Sequence, residues 1–500
     1  MNRERVEGAA QSSHHYHPVP PKENLMADIE DPWNSRPIDV HRWSDHPEVA
    51  ALADTVWDEY VAIVQRSGPK PKTAFRHQLR VLLLDLYVAW LRDRTLCIGV
   101  SLSSNYWDTS SRYNAIHISK KIIPIIKTLH ENGLLDLAKG SYSGPGVPGN
   151  RTTRIRASER LQAMFAEAKF ERDDVTRIPN EEVILLRSED DGLVDYEDTD
   201  ETNEMREQVR RYNDVIAGSF IDIPVLDEPV IDDQPTDHHH CRTRRIFSRS
   251  EWTKNGRFHS GWWQQVNSDW RSKIFINDTP TVEVDFRGLH VAILSAEQGV
   301  ELEGDPYDLP DRIIKAGPPE LQRSLVKRLL LTAINASSRD AAYRAFRDGF
   351  PKDSLGKMLT NEQLDSLVAA FIKKSPHLEE SLFSDQGIRL MNVDSQITAL
   401  IHHEFTSQAI PVLSVHDSYI VDYTRVAHLK EVMANASEVV VGKALAATSE
   451  AYGLDEMTGA ENFMVQEYIM SRQTARSEGY MKRLAKHEKR TGTVVLPFDR

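Results

Sequence analysis

The chain has 500 residues, 40% of them hydrophobic and 27% charged, with a formal net charge of −14. That length exceeds one ordinary domain, and the balance fits a soluble globular protein of two or three domains rather than a fibrous or disordered chain. No apolar run reaches the ~20 residues that span a bilayer, the first residues lack the apolar centre of a secretory signal, and Cys97 and Cys241 give no disulfide framework. No membrane partner is therefore expected, and a reducing cytoplasm is the expected location. The acidic total does not exclude a nucleic-acid partner, because backbone tracking needs local positive grooves. Acid is concentrated in residues 189–204, whereas Arg242, Arg244, Arg245, Arg249, Lys254 and Arg257 cluster, as do the bases of residues 472–490.

Taken in order, residues 1–45 are Pro- and His-rich and read as a flexible segment. Residues 46–165 read as a helical, winged-helix-like domain. Its run FRHQLRVLLLDLYVAWL has the apolar density of a buried helix. Ser119 is placed to cap a helix with Ile122, Ile126 and Leu129 on its apolar face, and Gly133 to end it, although Pro124 sits within that helix and removes a hydrogen bond. Leu135 and Leu137 then begin a strand, a Gly/Pro-rich loop follows, and Arg154, Ile155 and Arg156 form the return strand. Helix, hairpin and basic wing in that order resemble a winged-helix DNA-binding module, with Arg151, Arg154 and Arg156 against phosphates. A plain helix-hairpin packing unit is the alternative.

Residues 158–218 read as helical, with Met205, Val209, Tyr212 and Ile216 on one face. Within 166–241 this gives either a thumb-like helix or a packing helix, followed by a linker over 221–241. The linker's His238-His239-His240-Cys241 run has zinc-ligand residue types, but adjacent ligands rarely all point at one metal.

Three stretches within residues 242–460 carry chemistry. In TVEVDFRGLHVAIL, Val282 and Val284 alternate as in a half-buried strand, Asp285 ends it, and Leu289 and Ile293 switch to a helical period. In IPVLSVHDSYIV, two β-rich runs flank His416-Asp417-Ser418, placing them on a hairpin tip where an uncompensated carboxylate is costly and a metal relieves the cost. Between these stretches, Arg323, Lys327, Leu331 and Asn335 recur every four residues on one helical face. Such a face suits gripping a triphosphate and covering a base, or is simply a solvated basic face.

The order of these pieces resembles the palm and fingers of family A DNA polymerases, related to phage-type single-subunit RNA polymerases. DFRGLHVAILS is similar to motif A, RSLVK to motif B and VHDS to motif C. TKNGRFHSGWWQQV and MNVDSQITA are similar to the segments that precede motifs A and C. The resemblance covers residues 250–425 and implies an α+β fold: a right-hand polymerase palm with antiparallel sheet and helical fingers and thumb, beside the winged-helix-like domain, with 461–500 as a basic C-terminal tail. It implies that Asp285, Asp417 and the Phe286 carbonyl hold two Mg²⁺ ions, or Mn²⁺ in their place. One ion activates a 3′-hydroxyl and the other neutralises the triphosphate and the leaving pyrophosphate. It further implies that Arg323 and Lys327 hold the phosphates, Lys327 protonating the leaving group, and that Leu331 and His290 meet the nucleotide. Arg257, Gln264, Asn392 and Gln396 would contact the primer-template, and His416 would position the primer end.

The chain departs from the DNA-making pattern. His290 stands where the family has Glu, Leu331 where it has an aromatic residue, Asn335 where it has Tyr, and Ser418 where it has Glu. HDS and DFRG are instead RNA-polymerase-like. The expected activity is template-directed nucleotidyl transfer, on a DNA primer-template or a single-stranded template, with nucleoside triphosphates. A DNA polymerase is the first reading and an RNA polymerase or primase the second. A DNA-binding replication initiator or regulator with an inactive palm is the third.

Overall fold

The computed structural model describes residues 29–495, apart from 30, 67, 142–143, 145–149 and 303. Helix makes up 47% and strand 15%, and the strands are mostly antiparallel, which is an α+β composition. The chain divides into two compact units, residues 1–182 with 230–239, and residues 183–229 with 240–500, so the division does not fall at the expected 165 or 241. Among the described residues no helix is long and apolar enough to cross a membrane.

The first unit holds helices α1 (Pro47–Val64), α2 (Arg76–Arg92), α3 (Ile122–Glu131) and α4 (Glu159–Glu167). Its strands are β1 (Ser35–Pro37), β2 (Cys97–Val100), β3 (Leu135–Ala138) and β4 (Thr153–Ala157), in the order β1-β2-β4-β3. Pro47 opens α1 with its φ already helical, and His46 accepts the Glu48 N–H at 3.3 Å. Helix α2 is buried on every side from Gln78 to Ala89, as its unbroken apolar run requires, and carries a fully buried carboxylate, Asp85. Arg36 and Arg42 pair with it at 2.6 and 2.8 Å.

Several expectations change here. Ser119 lies two residues before the N-cap of α3, Lys121, and its hydroxyl takes the Lys121 N–H at 3.3 Å. Pro124 falls in the first turn of α3, where an N–H has no intrahelical acceptor, so no hydrogen bond is lost. Gly133 does end α3, at φ +71°. The flexible reading of 1–45 fails from residue 35 onward, because β1 pairs with β2 in parallel; residues 1–28 lie outside the described residues, as does most of the Gly/Pro-rich loop.

In the second unit, β5 (Ile184–Leu186) pairs in parallel with β6 (Arg244–Ser248), which pairs antiparallel with β7 (Glu251–His259). Helical periodicity over 158–218 therefore overreached: residues 168–199 hold no α-helix, only a single 3-10 turn at Arg172–Asp174, and Ile184–Leu186 is buried because strand pairing satisfies its backbone. The remainder forms α5 (Asp200–Gly218), capped by Thr199, with Met205, Val209, Tyr212 and Ile216 buried as its sequence period implies. That face is spent on packing, for the Tyr212 hydroxyl donates to the Val412 carbonyl at 2.8 Å.

The expected linker 221–241 is also folded. Ile221–Asp222 joins the main sheet, and Val230–Ile231 and Gln234–Pro235 form a hairpin turned by Asp232 and Asp233, both at positive φ. Among the described residues no group of three or more His, Cys, Asp or Glu is assembled to hold a metal, so the His238–Cys241 run gains no support as a zinc site.

The main antiparallel sheet is built on β8 (Thr279–Phe286). Phe275–Ile276 and β9 (Ser418–Asp422) flank it, and the short strand Leu413–Val415 pairs outside β9. Ala447–Ser449 pairs with the end of β8 that carries Asp285. Helices α6 (Leu289–Glu297), α7 (Pro319–Asn335), α8 (Asn361–Lys374) and α9 (Gly387–Ser407) follow β8 in the chain. Residues 461–495 are folded, with a helix over Asn462–Ser471. Glu478–Thr491 is a helix with Tyr480 fully buried, and Arg476 and Arg483 pair with Asp278 and Asp222 at 2.6 Å.

Candidate active site

Strand β8 delivers Asp285 and β9 delivers Asp417, and the register fixes how near they come. Asp285 lies opposite Ser418, and the Phe286 N–H donates to the Asp417 carbonyl at 3.3 Å. The turn between Leu413–Val415 and β9 is tight, with His416 at φ +57°. The strands around it are buried, but Asp285 is exposed and Asp417 half-buried, so the carboxylates reach solvent at the sheet's end instead of being enclosed. Desolvation by the surrounding protein, then the neighbouring Asp417 charge, pushes Asp285 up to about 7, while Lys327 on α7 pulls it down and Glu283 adds to the rise. A carboxylate whose ionisation is suppressed by burial and by a neighbouring carboxylate, beside one lysine, forms a site for a cation.

Glu283 shares the face of β8 with Asp285, two residues away, but it is already engaged: Arg271 pairs with it at 3.1 Å and the Ser418 hydroxyl donates to it at 2.5 Å. The hard oxygen donors left over, Asp285, Asp417 and a backbone carbonyl at Phe286, suit Mg²⁺. That ion commonly uses one or two protein carboxylates and completes its octahedron with water and phosphate.

Helix α7 presents Arg323, Lys327 and Leu331 on one face, with both cations exposed. Lys327 makes no ion pair among the described residues, whereas Arg323 pairs with Asp305. Asp305 belongs to a strap between α6 and α7. It accepts the Tyr307 N–H at 2.9 Å, and Lys374 of α8 holds the strap through the carbonyls of Asp305 and Asp308, at 2.6 Å each. Tyr307 is buried, and its pKa is raised by burial first and then by Asp417, Asp305 and Asp285, so its phenol belongs to the same site. A Cβ on Gly288, at φ +60° just after Asp285, would lie 3.3 Å from that hydroxyl. No period or motif marks Tyr307 in the sequence; only the fold of the strap brings it in.

A second cluster lies behind the carboxylates. Asp394 of α9 is fully buried and pairs with Arg257 of β7 at 2.6 Å, and a terminal nitrogen of Arg257 lies 3.4 Å from His290 Nε2. Burial pushes Asp394 up to about 6 despite Arg257, with Asp417 adding to the rise. Burial, with Arg257, lowers His290 to about 4, so its ring is neutral at pH 7. A guanidinium can only donate, so Nε2 accepts, Nδ1 carries the proton, and that buried N–H has no partner among the described residues. His416 is likewise lowered by burial and Arg257, opposed by Asp417.

The other sequence-nominated residues divide by position. Asn392 donates to the Trp252 and Asn255 carbonyls at 3.0 Å and accepts from Gln396 at 2.8 Å, so this pair braces β7 against α9. Gln264 donates to the Phe258 and Ser414 carbonyls and accepts the Ser260 N–H, which ties its amide into the hairpin support. Phe286 is buried, edge-on to Tyr419. Arg151, Arg154 and Arg156 belong to the first unit. There Arg151 donates to Ser141 at 3.3 Å, Arg154 to Ser35 at 2.7 Å, and Arg156 pairs with Asp136 at 2.8 Å.

No protein-family model matches this sequence, and no curated protein matches it. One solved structure similar to the chain is the POL domain of Pol1 from M. smegmatis in complex with DNA primer-template and dNTP. It has 8% identity and a TM-score of 0.29, covering 83% of this chain and 67% of that one. A likeness at that level carries no inference about activity, which rests on the site's own geometry.

Proposed function

We propose that the chain is a template-directed nucleotidyltransferase, a DNA polymerase of family A type, with its reaction centre at Asp285 and Asp417. The observation that carries this reading is the register of β8 against β9, which sets two solvent-reaching carboxylates side by side so that Asp417 and desolvation hold Asp285 near neutrality. Asp285, Asp417 and the Phe286 carbonyl would hold two Mg²⁺ ions, with Mn²⁺ able to replace them. Bound there, the ions supply an activated 3′-hydroxyl and neutralise the charge that develops on the phosphates. Arg323, on leaving Asp305, takes the triphosphate, and Lys327 stands by the carboxylates to give a proton to the departing pyrophosphate. Leu331, one turn beyond Lys327, covers the base. Arg257 is aimed by Asp394, and with Asn392, Gln396, Gln264 and His416 it forms the floor for a primer-template. The basic strand of the first unit, Arg151, Arg154 and Arg156, serves as a DNA contact in a winged-helix-like domain.

One observation favours a second reading, synthesis of RNA. The neutral His290 offers an unpartnered Nδ1–H where a carboxylate would repel or crowd a 2′-hydroxyl. Primer extension with Mg²⁺ on a defined template, run with dNTPs and with rNTPs, decides between the two products. Loss of extension in Asp285→Asn and Asp417→Asn is the expected result, and full activity in both variants leaves only a binding role for this half of the chain.

A further inference from the structure

The first unit carries an aromatic and basic surface that the carboxylate site does not use. Ile98 of β2 and Ile155 of β4 are paired across the sheet and fully buried in the core with α2. Side chains alternate along a strand, so Arg154 and Arg156 leave β4 on the opposite, outer face. Gly99 lies opposite Arg154, and a Cβ there would stand 3.2 Å from the guanidinium, so the glycine lets that side chain lie across the sheet. Its Nε donates to the hydroxyl of Ser35, at the start of β1, at 2.7 Å. Just before β1, Trp33 is 58% exposed, and the Arg151 guanidinium lies 5.8 Å from its ring centre.

Charge is unbalanced on this face. Asp136 pairs with Arg156 at 2.8 Å, and Asp31 accepts the Trp33 N–H at 2.9 Å. Among the described residues no carboxylate forms an ion pair with Arg151 or Arg154. Burial first, and also the neighbouring Arg151 charge, lowers the pKa of Arg154, so the two cations act on each other with no acid paired to either. A lone exposed aromatic is ordinary surface. An exposed indole beside two uncompensated guanidiniums supplies both halves of a strand contact, a face for a base and cations for phosphates. A duplex keeps its base faces within the stack, so the indole gains from a single strand and not from a duplex.

We propose that this outer face binds single-stranded DNA, with one base stacked on Trp33 and the adjoining phosphates on Arg151 and Arg154. Arg156 is left to brace β4 against β3 through Asp136. The inference deepens the DNA contact proposed for this unit and rests on that reading for the choice of DNA; the stacking itself needs no working metal site.

The test titrates a labelled oligodeoxythymidylate of about 12 nucleotides with the full chain, without divalent cation or nucleotide, and follows fluorescence anisotropy. Trp33→Ala should weaken binding about tenfold, whereas Trp33→Phe, which keeps a ring, should stay within about threefold. Neither should move the affinity for a duplex of the same length by more than about twofold. Arg151→Gln and Arg154→Gln should each reduce the slope of log affinity against log salt by about 0.7. Trp33 and Arg151 are exposed, so their variants keep the test decisive even if Arg154→Gln does not fold. Asp285→Asn should bind the strand as the unsubstituted chain does, so a failure of the polymerase reading in primer extension is read separately from a failure here. Single-strand affinity of Trp33→Ala within about twofold of the unsubstituted chain, an equal loss toward the duplex, or a Trp33 effect confined to an oligouridylate strand overturns the proposal.

Discussion

Replacing Asp285 with Asn should stabilise the protein while abolishing its activity, and the two effects come from one cause. In the folded chain Asp285 sits near pH 7, against its ordinary value of 3.8. Because the folded value is raised, the favourable contribution is complete below about pH 4 and is lost as pH rises through 7. The difference of 7 − 3.8, about 3, corresponds at full strength to about 4 kcal/mol. The carboxylate reaches solvent, so screening reduces this to about 1–2 kcal/mol. Without divalent cation, Asp285→Asn should therefore melt about 1–3 °C above the unsubstituted protein at pH 8, and within about 1 °C of it at pH 4. Adding Mg²⁺ should raise the Tm of the unsubstituted protein at pH 8 and close that gap, because a cation neutralises the same repulsion. In primer extension the variant should lose at least about 10³-fold in rate, as expected when a metal-holding carboxylate goes. Calorimetry at the two pH values and single-turnover extension measure both sides. A variant that is less stable at pH 8, or that keeps its rate within tenfold, refutes the reasoning.

Three further outcomes follow from the same geometry. Arg257→Ala leaves Asp394 buried and alone, which should cost about 3–5 kcal/mol in denaturant unfolding at pH 8; adding Asp394→Asn should recover most of that loss, and no recovery would mean Arg257 acts through packing alone. Asp305→Ala frees Arg323 from its ion pair and should lower KM for nucleotide severalfold with kcat little changed, whereas Lys327→Ala should reduce kcat by about 10²-fold. His290→Phe removes the unpartnered Nδ1–H while keeping bulk, so it should reduce ribonucleotide use about tenfold or more relative to deoxyribonucleotides, read as a ratio of kcat/KM values; an unchanged ratio excludes a role for His290 in sugar choice.

The local signals in this sequence were those carried by neighbouring residues. Alternation around Val282 and Val284, the four-residue spacing of Arg323, Lys327 and Leu331, the apolar face of α5 and the break at Gly133 depend only on strand and helix periods and on backbone freedom at glycine. Each is visible before any folding partner is known. Whatever depends on a distant partner was not legible in this way. Helical periodicity over 158–218 gave no warning of β5, because Ile184–Leu186 becomes a strand only through pairing with Arg245–Phe247. The supposed linker acquires structure from Phe275–Ile276, and the supposed basic tail from Asp222 and Asp278. The same holds for the site. Asp285 and Asp417 could be nominated from their own neighbours, but their proximity is set by register across 132 residues (417 − 285). Tyr307, Asp305 and Asp394 carry no sequence pattern at all. Electrostatic coupling and burial depend on distance through space, so the tertiary structure alone decides which carboxylates repel, which arginines are already paired and which histidine donor is left over.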